Sequence, residues 1–170
     1  MILHALILGA AGAISGLFLQ TVGDPFGIFF GAVLAGYLWM VLGVRSLAKV
    51  AVVWVTTAGA FLVASFTIVL VPVFEQFTGT SGPQTTLIMR FVFAGSAGGA
   101  LVSMGLLVSL PWPRGTTRIG VEMLLCAAAG GILGAALAML EDPRQFSYSP
   151  LGAVWQGGMG VVLALIAESD

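Results

Sequence analysis

The chain has 170 residues and a formal net charge of −1, and 59% of its residues are hydrophobic while only 8% are charged. Soluble domains normally contain about a quarter charged residues, so this composition excludes an ordinary soluble globular protein. Six Lys and Arg residues are too few for a basic face, which argues against nucleic acid as a partner. We therefore expect the lipid bilayer to be the main partner of the chain.

Six apolar runs are long enough, and poor enough in charge, to be predicted as membrane-spanning helices. They lie near residues 2–22, 26–43, 49–73, 88–110, 119–140 and 150–167. No Lys or Arg precedes the first run, so it is interpreted as a retained helix rather than a secretory signal. Pro72 is expected to end the third helix. The segment 74–87 is the only long connection between the predicted helices. The pattern predicts a single all-α domain over residues 1–170, a polytopic integral membrane protein built as a compact bundle of six transmembrane helices.

The cations favour one side of this predicted bundle by four to two. Arg45, Lys49, Arg114 and Arg118 fall in two joints on the same side, whereas Arg90 and Arg144 fall on the other side. Cytoplasmic loops of membrane proteins carry an excess of Lys and Arg. With an even number of spans, both termini are then predicted on the cytoplasmic side, in a bacterial inner (plasma) membrane.

Small residues recur four positions apart in five of the six predicted helices. The ladders are Gly12 and Gly16, Gly27 and Gly31, Gly95 with Gly99 and Ser103, Gly130 and Gly134, and Ala153 and Gly157. Such spacing lets two helix backbones approach closely. The ladders predict either close packing within one bundle, or an outward face that binds a partner membrane subunit or a second copy of the chain.

An internal similarity relates the first and fifth helices. Residues 10–16, AAGAISG, align without gaps on residues 128–134, AAGGILG, and Asp-Pro follows at 24–25 and at 142–143. A true repeat would make helices 1 and 2 copies of helices 5 and 6, with a ligand expected at their interface. The alternative is chance similarity between two spans rich in Ala and Gly.

Three residues are the candidate ligand-binding groups, because polar side chains inside a membrane are costly and are often functional. Gln156 lies about two turns into the sixth helix, and Trp155 beside it could line the same pocket. Glu122 lies about one turn into the fifth helix, but it also follows Arg118 by four residues, and a pair at this spacing would give it a purely structural role.

Catalysis is not supported by the residues present. His4 is the only histidine and Cys126 the only cysteine, so histidine clusters, cysteine–histidine pairs and zinc quartets are excluded within one chain. No nucleotide-binding glycine motif occurs. We therefore predict a protein that is not an enzyme, with no cofactor and no metal.

Two functions fit these features. The first is transport, or membrane-embedded binding, of a small and mostly uncharged solute between helices 1, 2, 5 and 6, at Gln156, Trp155 and Glu122. The second is a structural or assembly subunit of a larger membrane complex. The first requires these polar side chains to face the interior of the bundle, and the second requires an exposed face of small residues.

Overall fold

The computed structural model describes residues 1–18, 27–78, 83–140 and 149–169 of the chain. These residues form six α-helices: α1 Ile2–Phe18, α2 Ile28–Met40, α3 Leu47–Thr78, α4 Pro83–Ser109, α5 Thr116–Leu140 and α6 Ser149–Ala167. The prediction of an all-α chain with six helices is confirmed.

Three of these helices are long and apolar enough to cross a membrane. Among the described residues, the qualifying segments are Leu47–Thr67, Gln84–Ser109 and Thr116–Met139, and the shorter apolar helices are Ile2–Leu17, Ile28–Met40 and Gly152–Ala167. The 13 residues of α2 rise only about 20 Å, which is less than the roughly 30 Å of a bilayer's hydrocarbon core. A bundle in which all six helices cross the membrane therefore stays a prediction.

The joint between the third and fourth helices is much shorter than predicted. α3 continues through Pro72 to Thr78, and α4 already begins at Pro83. A proline inside a helix removes one backbone hydrogen bond, but a long apolar helix can continue despite this loss. A proline in the first turn removes an N–H that has no partner within the helix anyway. The prediction that Pro72 ends the third helix is wrong.

The helices form a ring in which each one packs against its neighbours along the chain. α1 closes the ring by packing along α6, and α4 also reaches α6 across the interior. The most extensive contacts are those of α4 with α5, α1 with α6, and α3 with α4. Fully buried apolar side chains fill the interior, among them Phe30, Leu34, Val53, Leu106, Met159 and Leu163.

Glycines allow the two tightest pairs of helices to approach. A Cβ atom on Gly12 would lie 2.4 Å from the Gln156 carbonyl oxygen, so α1 and α6 meet backbone to backbone there. A Cβ on Gly130 would lie 2.2 Å from the Gly95 carbonyl oxygen, which gives the same kind of seam between α5 and α4. Close packing of these ladders within the bundle is confirmed.

The proposed repeat is only partly covered by the structure. The aligned glycines both form seams, but Gly12 on α1 faces α6, whereas Gly130 on α5 faces α4. Asp24-Pro25 and Asp142-Pro143 lie outside the described residues. The two matching segments therefore pack against different partners, and the repeat stays a prediction.

Candidate functional site

One end of the bundle holds most of the ion pairs of the described residues. We call it the terminal end, because it brings together Met1, residues 41–46, residues 110–115 and residues 167–169. Lys49 Nζ donates to the Leu110 carbonyl oxygen (2.7 Å), and the Met1 ammonium lies 2.8 Å from a Glu168 oxygen. The cations Arg45, Lys49, Arg114 and Arg118 belong to this end.

Glu122 is buried at the terminal end between two arginines. Its Oε1 accepts hydrogen bonds from Arg114 Nη1 and from Arg118 Nε, the latter at 2.8 Å. The predicted pair of Arg118 and Glu122, four residues apart on one helix, is confirmed. Two guanidinium groups beside one carboxylate neutralise its charge and repel an approaching cation, so the structural role of Glu122 is well supported.

Arg114 was predicted from the sequence only as one of the cytoplasmic cations, yet it is the central residue of this cluster. Its side chain is only 1% exposed, and its Nη2 donates to the carbonyl oxygens of Ile166 (3.1 Å) and Ala167 (3.0 Å). These carbonyls belong to the last turn of α6, where a helix has no internal donors to offer and where a cation is favoured by the helix dipole. Arg114 thus fixes the end of α6 against the start of α5.

Glu168 forms a second cluster just beyond the last residue of α6. Tyr37 donates its hydroxyl proton to Glu168 Oε1 (2.7 Å), and His4 Nδ1 lies 2.5 Å from the same oxygen. Burial alone would raise the pKa of Glu168, but the bonds from the terminal ammonium, Tyr37 and His4 outweigh burial and lower the pKa to about 2. The Glu168 carboxylate therefore links α1, α2 and α6.

Trp155 lies inside the bundle between α6 and its neighbours. Its indole Nε1 donates to the Gly130 carbonyl oxygen (3.3 Å), and the rings of Phe30 and Phe61 approach it edge-on with centroids at 6.3 Å. Its ring also lies 3.3 Å from the position that a Cβ on Gly98 would take. These contacts give Trp155 a packing role that ties α6 to α2, α3, α4 and α5.

Gln156 occupies the seam on the α1 side of α6. The residue is 1% exposed, and its Oε1 lies 2.5 Å from Ser15 Oγ, which is also 2.8 Å from the Gly12 carbonyl oxygen. The Ser15 hydroxyl has a single proton, so it donates to only one of these oxygens and accepts from the amide if the amide is turned round. The bond to Ser15 is the only side-chain hydrogen bond of Gln156 among the described residues, although its amide nitrogen is not one of the fully buried atoms left without a partner.

The three candidate residues therefore do not form one site. Neighbouring positions on a helix point about 100° apart, and Trp155 faces α5 while Gln156 faces α1. Glu122 lies at the level of Ile166, because Arg114 bonds both, and ten residues of helix separate Ile166 from Gln156, about 15 Å. Gln156 is the most deeply buried of the three, and Glu122, also buried, has an Oε2 atom without a hydrogen-bond partner among the described residues.

Two partners of the candidate residues had no clear signal in the sequence. Ser15 is one of several hydroxyls in apolar helices, and Arg114 stands in a loop between prolines and glycine. Their contacts depend on which helices become neighbours across the bundle.

Searches of protein-family models, curated proteins and solved structures find no match to this chain.

Proposed function

We propose that the chain is an integral membrane protein whose six helices cross the bilayer of a bacterial inner membrane. Large apolar side chains are exposed on the outer faces of α1, α3 and α5, among them Leu6, Ile14, Val55, Phe66, Leu124 and Ile132. Exposing such a surface to water is unfavourable, whereas contact with lipid acyl chains is not. The four cations of the terminal end support its placement in the cytoplasm, together with both termini.

A labelling experiment tests this orientation. The only native cysteine, Cys126, is buried, so it gives little background with a membrane-impermeant maleimide. Cysteine placed at Ser169 or at the open position Gly115 is expected to stay unlabelled in intact cells and to react after permeabilisation. Labelling of both positions in intact cells would reverse the orientation.

Within this membrane protein we propose a binding site for a small uncharged solute beside Gln156, at the edge of the tightly packed seam between α1 and α6. The single observation that carries the proposal is the 1% exposed Gln156 side chain, whose only hydrogen bond among the described residues joins Oε1 to Ser15 Oγ. Leaving a buried polar group without a partner costs about 1–3 kcal/mol, so such a group is rare in a purely structural position. A bound solute would satisfy it.

The surroundings of the amide define the chemistry of the solute. Ser15 and Gln156 are neutral, and Phe30 and Gly12 supply the nearby apolar surface. A charged solute would lose its hydration there without gaining a counter-ion, because Glu122 lies about 15 Å away along the bundle and is already paired. A solute with a hydroxyl or an amide fits, since either group can both donate and accept.

Transport measurements test the proposal directly. Proteoliposomes are exposed to inward gradients of glycerol and of urea, and solute entry is followed by stopped-flow light scattering. Wild type is expected to exceed protein-free vesicles for at least one of these solutes, and Gln156→Met is expected to abolish the excess. Gln84→Met is the matched control, because the Gln84 amide donates to the Ala138 carbonyl oxygen (2.8 Å) near the opposite end of the bundle.

The outcome that overturns the proposal is equal solute entry for wild type and Gln156→Met. Native mass spectrometry of the gently extracted protein then distinguishes the remaining function. A small retained mass that disappears in Gln156→Met supports the solute site. A stable complex with a larger membrane protein, without any small bound molecule, would favour the structural or assembly subunit.

A further inference from the structure

Two cations of the terminal end form no ion pair with an acidic residue of the described chain. Arg114 and Arg118 both bond Glu122, but Arg45 and Lys49 have no ion pair within residues 1–18, 27–78, 83–140 and 149–169. Lys49 lies in the first turn of α3, and Arg45 lies two residues before the helix begins. They leave a local positive charge at the end of the bundle.

Neighbouring groups hold both cations in place without neutralising them. The Arg45 guanidinium carbon lies 5.0 Å from the centroid of the Trp39 ring, and Arg45 is exposed. Stacking on an aromatic face leaves the in-plane N–H groups of arginine free for a phosphate. Lys49 Nζ donates one proton to the Leu110 carbonyl oxygen, and an ammonium has two more to offer.

An apolar groove begins immediately beside these cations. The groove is shallow and open, lies on the exposed face of α3, is lined by Ala48, Ala51, Val52, Val55 and Thr56, and has a volume of about 270 Å³. From Ala48 to Thr56 the groove follows α3 for about 12 Å, at 1.5 Å per residue. Its small side chains leave room for a narrow apolar chain lying along the helix.

We propose that this surface binds one anionic phospholipid, with the phosphate on Arg45 and Lys49 and the start of one acyl chain in the α3 groove. The inference rests on the proposed membrane location. A phospholipid is favoured over a partner helix because it matches both features at once, negative charge at the cationic end and a flexible apolar chain beyond it. Basic groups at the cytoplasmic surface of a bundle are suited to anionic headgroups.

Quenching by brominated lipid tests this site. The protein is reconstituted in phosphatidylcholine vesicles that contain increasing fractions of dibrominated phosphatidylglycerol, and tryptophan fluorescence reports contact with the bromines. Trp54 on α3 is exposed and lies among the groove residues in sequence. Wild type is expected to prefer the anionic lipid over dibrominated phosphatidylcholine.

Two kinds of variant separate charge from shape. Arg45→Gln and Lys49→Gln are each expected to weaken the preference about fivefold, the value that corresponds to about 1 kcal/mol per basic residue at an anionic surface. Arg90→Gln removes the same charge from α4 away from the groove, and it should leave the preference unchanged. Ala51→Leu fills the groove and should weaken binding, whereas Ala128→Leu on the exposed face of α5 should not.

The outcomes are distinct. An unchanged preference for phosphatidylglycerol in Arg45→Gln and Lys49→Gln overturns the lipid site, and so does an equal loss in Arg90→Gln. Quenching by both lipids without any preference in wild type also overturns the lipid site while leaving the membrane location in place. Absence of quenching by either lipid contradicts the membrane location itself.

Discussion

Replacing Gly130 by alanine should separate α5 from α4, and the size of the effect follows from the geometry of the seam. The new Cβ atom would lie 2.2 Å from the Gly95 carbonyl oxygen, and a Cβ on Gly95 would meet the Gly130 carbonyl oxygen at the same distance. The obstacle on each side is backbone, so no side chain can rotate away. The helices themselves must move.

Ordinary contact for a Cβ atom begins near 3.4 Å, so the seam must open by about 1 Å at this point. Overpacking of a close-packed interior typically costs about 1–3 kcal/mol, and the opened seam also loses dispersion contacts along its length. We expect Gly130→Ala to lower the melting temperature by about 5–10 °C, taking roughly 2–4 °C per kcal/mol for a chain of this size.

Gly59→Ala is the matched control, since it makes the same substitution inside a helix but introduces a methyl group with nothing within 4 Å. Alanine is a better helix former than glycine by about 0.5–1 kcal/mol, so Gly59→Ala should be neutral or slightly stabilising. Thermal unfolding in a mild detergent, followed by circular dichroism, compares the two variants. Equal melting temperatures would refute the backbone-to-backbone seam at Gly130.

Three further changes test the polar clusters. Arg114→Met should destabilise the protein by about 3–5 kcal/mol, because it removes one buried partner of Glu122. Arg118→Met, at a side chain 43% exposed, should cost at most about 1 kcal/mol. Equal melting temperatures of the two variants would contradict the assigned burial. Glu168 has a pKa lowered from 4.5 to about 2, so its carboxylate contributes stability above pH 4.5 that is lost as the pH falls towards 2. The melting temperature of wild type should therefore exceed that of Glu168→Gln near pH 5 and by less as the pH falls below 4.5, and an unchanged difference over this range would contradict this role. In the absence of solute, Gln156→Met should change the stability by less than about 1 kcal/mol, because it removes only the bond to Ser15, worth about 0.6 kcal/mol; destabilisation well beyond this value would show that the amide has further partners in the folded protein.

The amino-acid sequence was sufficient for the features that depend on near neighbours. Composition and the apolar runs predict six helices, and spacing by four residues predicts both the pair of Arg118 with Glu122 and the close packing of the glycine ladders. These predictions succeed because helix formation and contacts between residues four apart are local properties of the chain. The end of the third helix was the exception, since a proline limits a helix only when the surrounding structure does not compensate for it.

The functional groups were only partly predictable for the same reason. Burial of Gln156, Trp155 and Glu122 was expected from their place in apolar helices, but the sequence could not tell which neighbour each would face. A rotation of 100° between Trp155 and Gln156 directs one towards α5 and the other towards α1. Proximity in sequence therefore suggested a shared pocket that the helix geometry does not form.

Composition and local spacing determined by themselves that this is a helical chain with apolar spans, small-residue seams and four of its six cations near two of the joints between helices. The tertiary structure alone decided that α1 lies against α6, that Arg114 reaches the last carbonyls of α6, and that Gln156 bonds Ser15 across the α1–α6 seam. Those contacts join residues 52 to 141 positions apart, and their formation depends on the order and rotation of whole helices around the ring. No local pattern encodes that arrangement, because many helix orders bury the same apolar surface equally well.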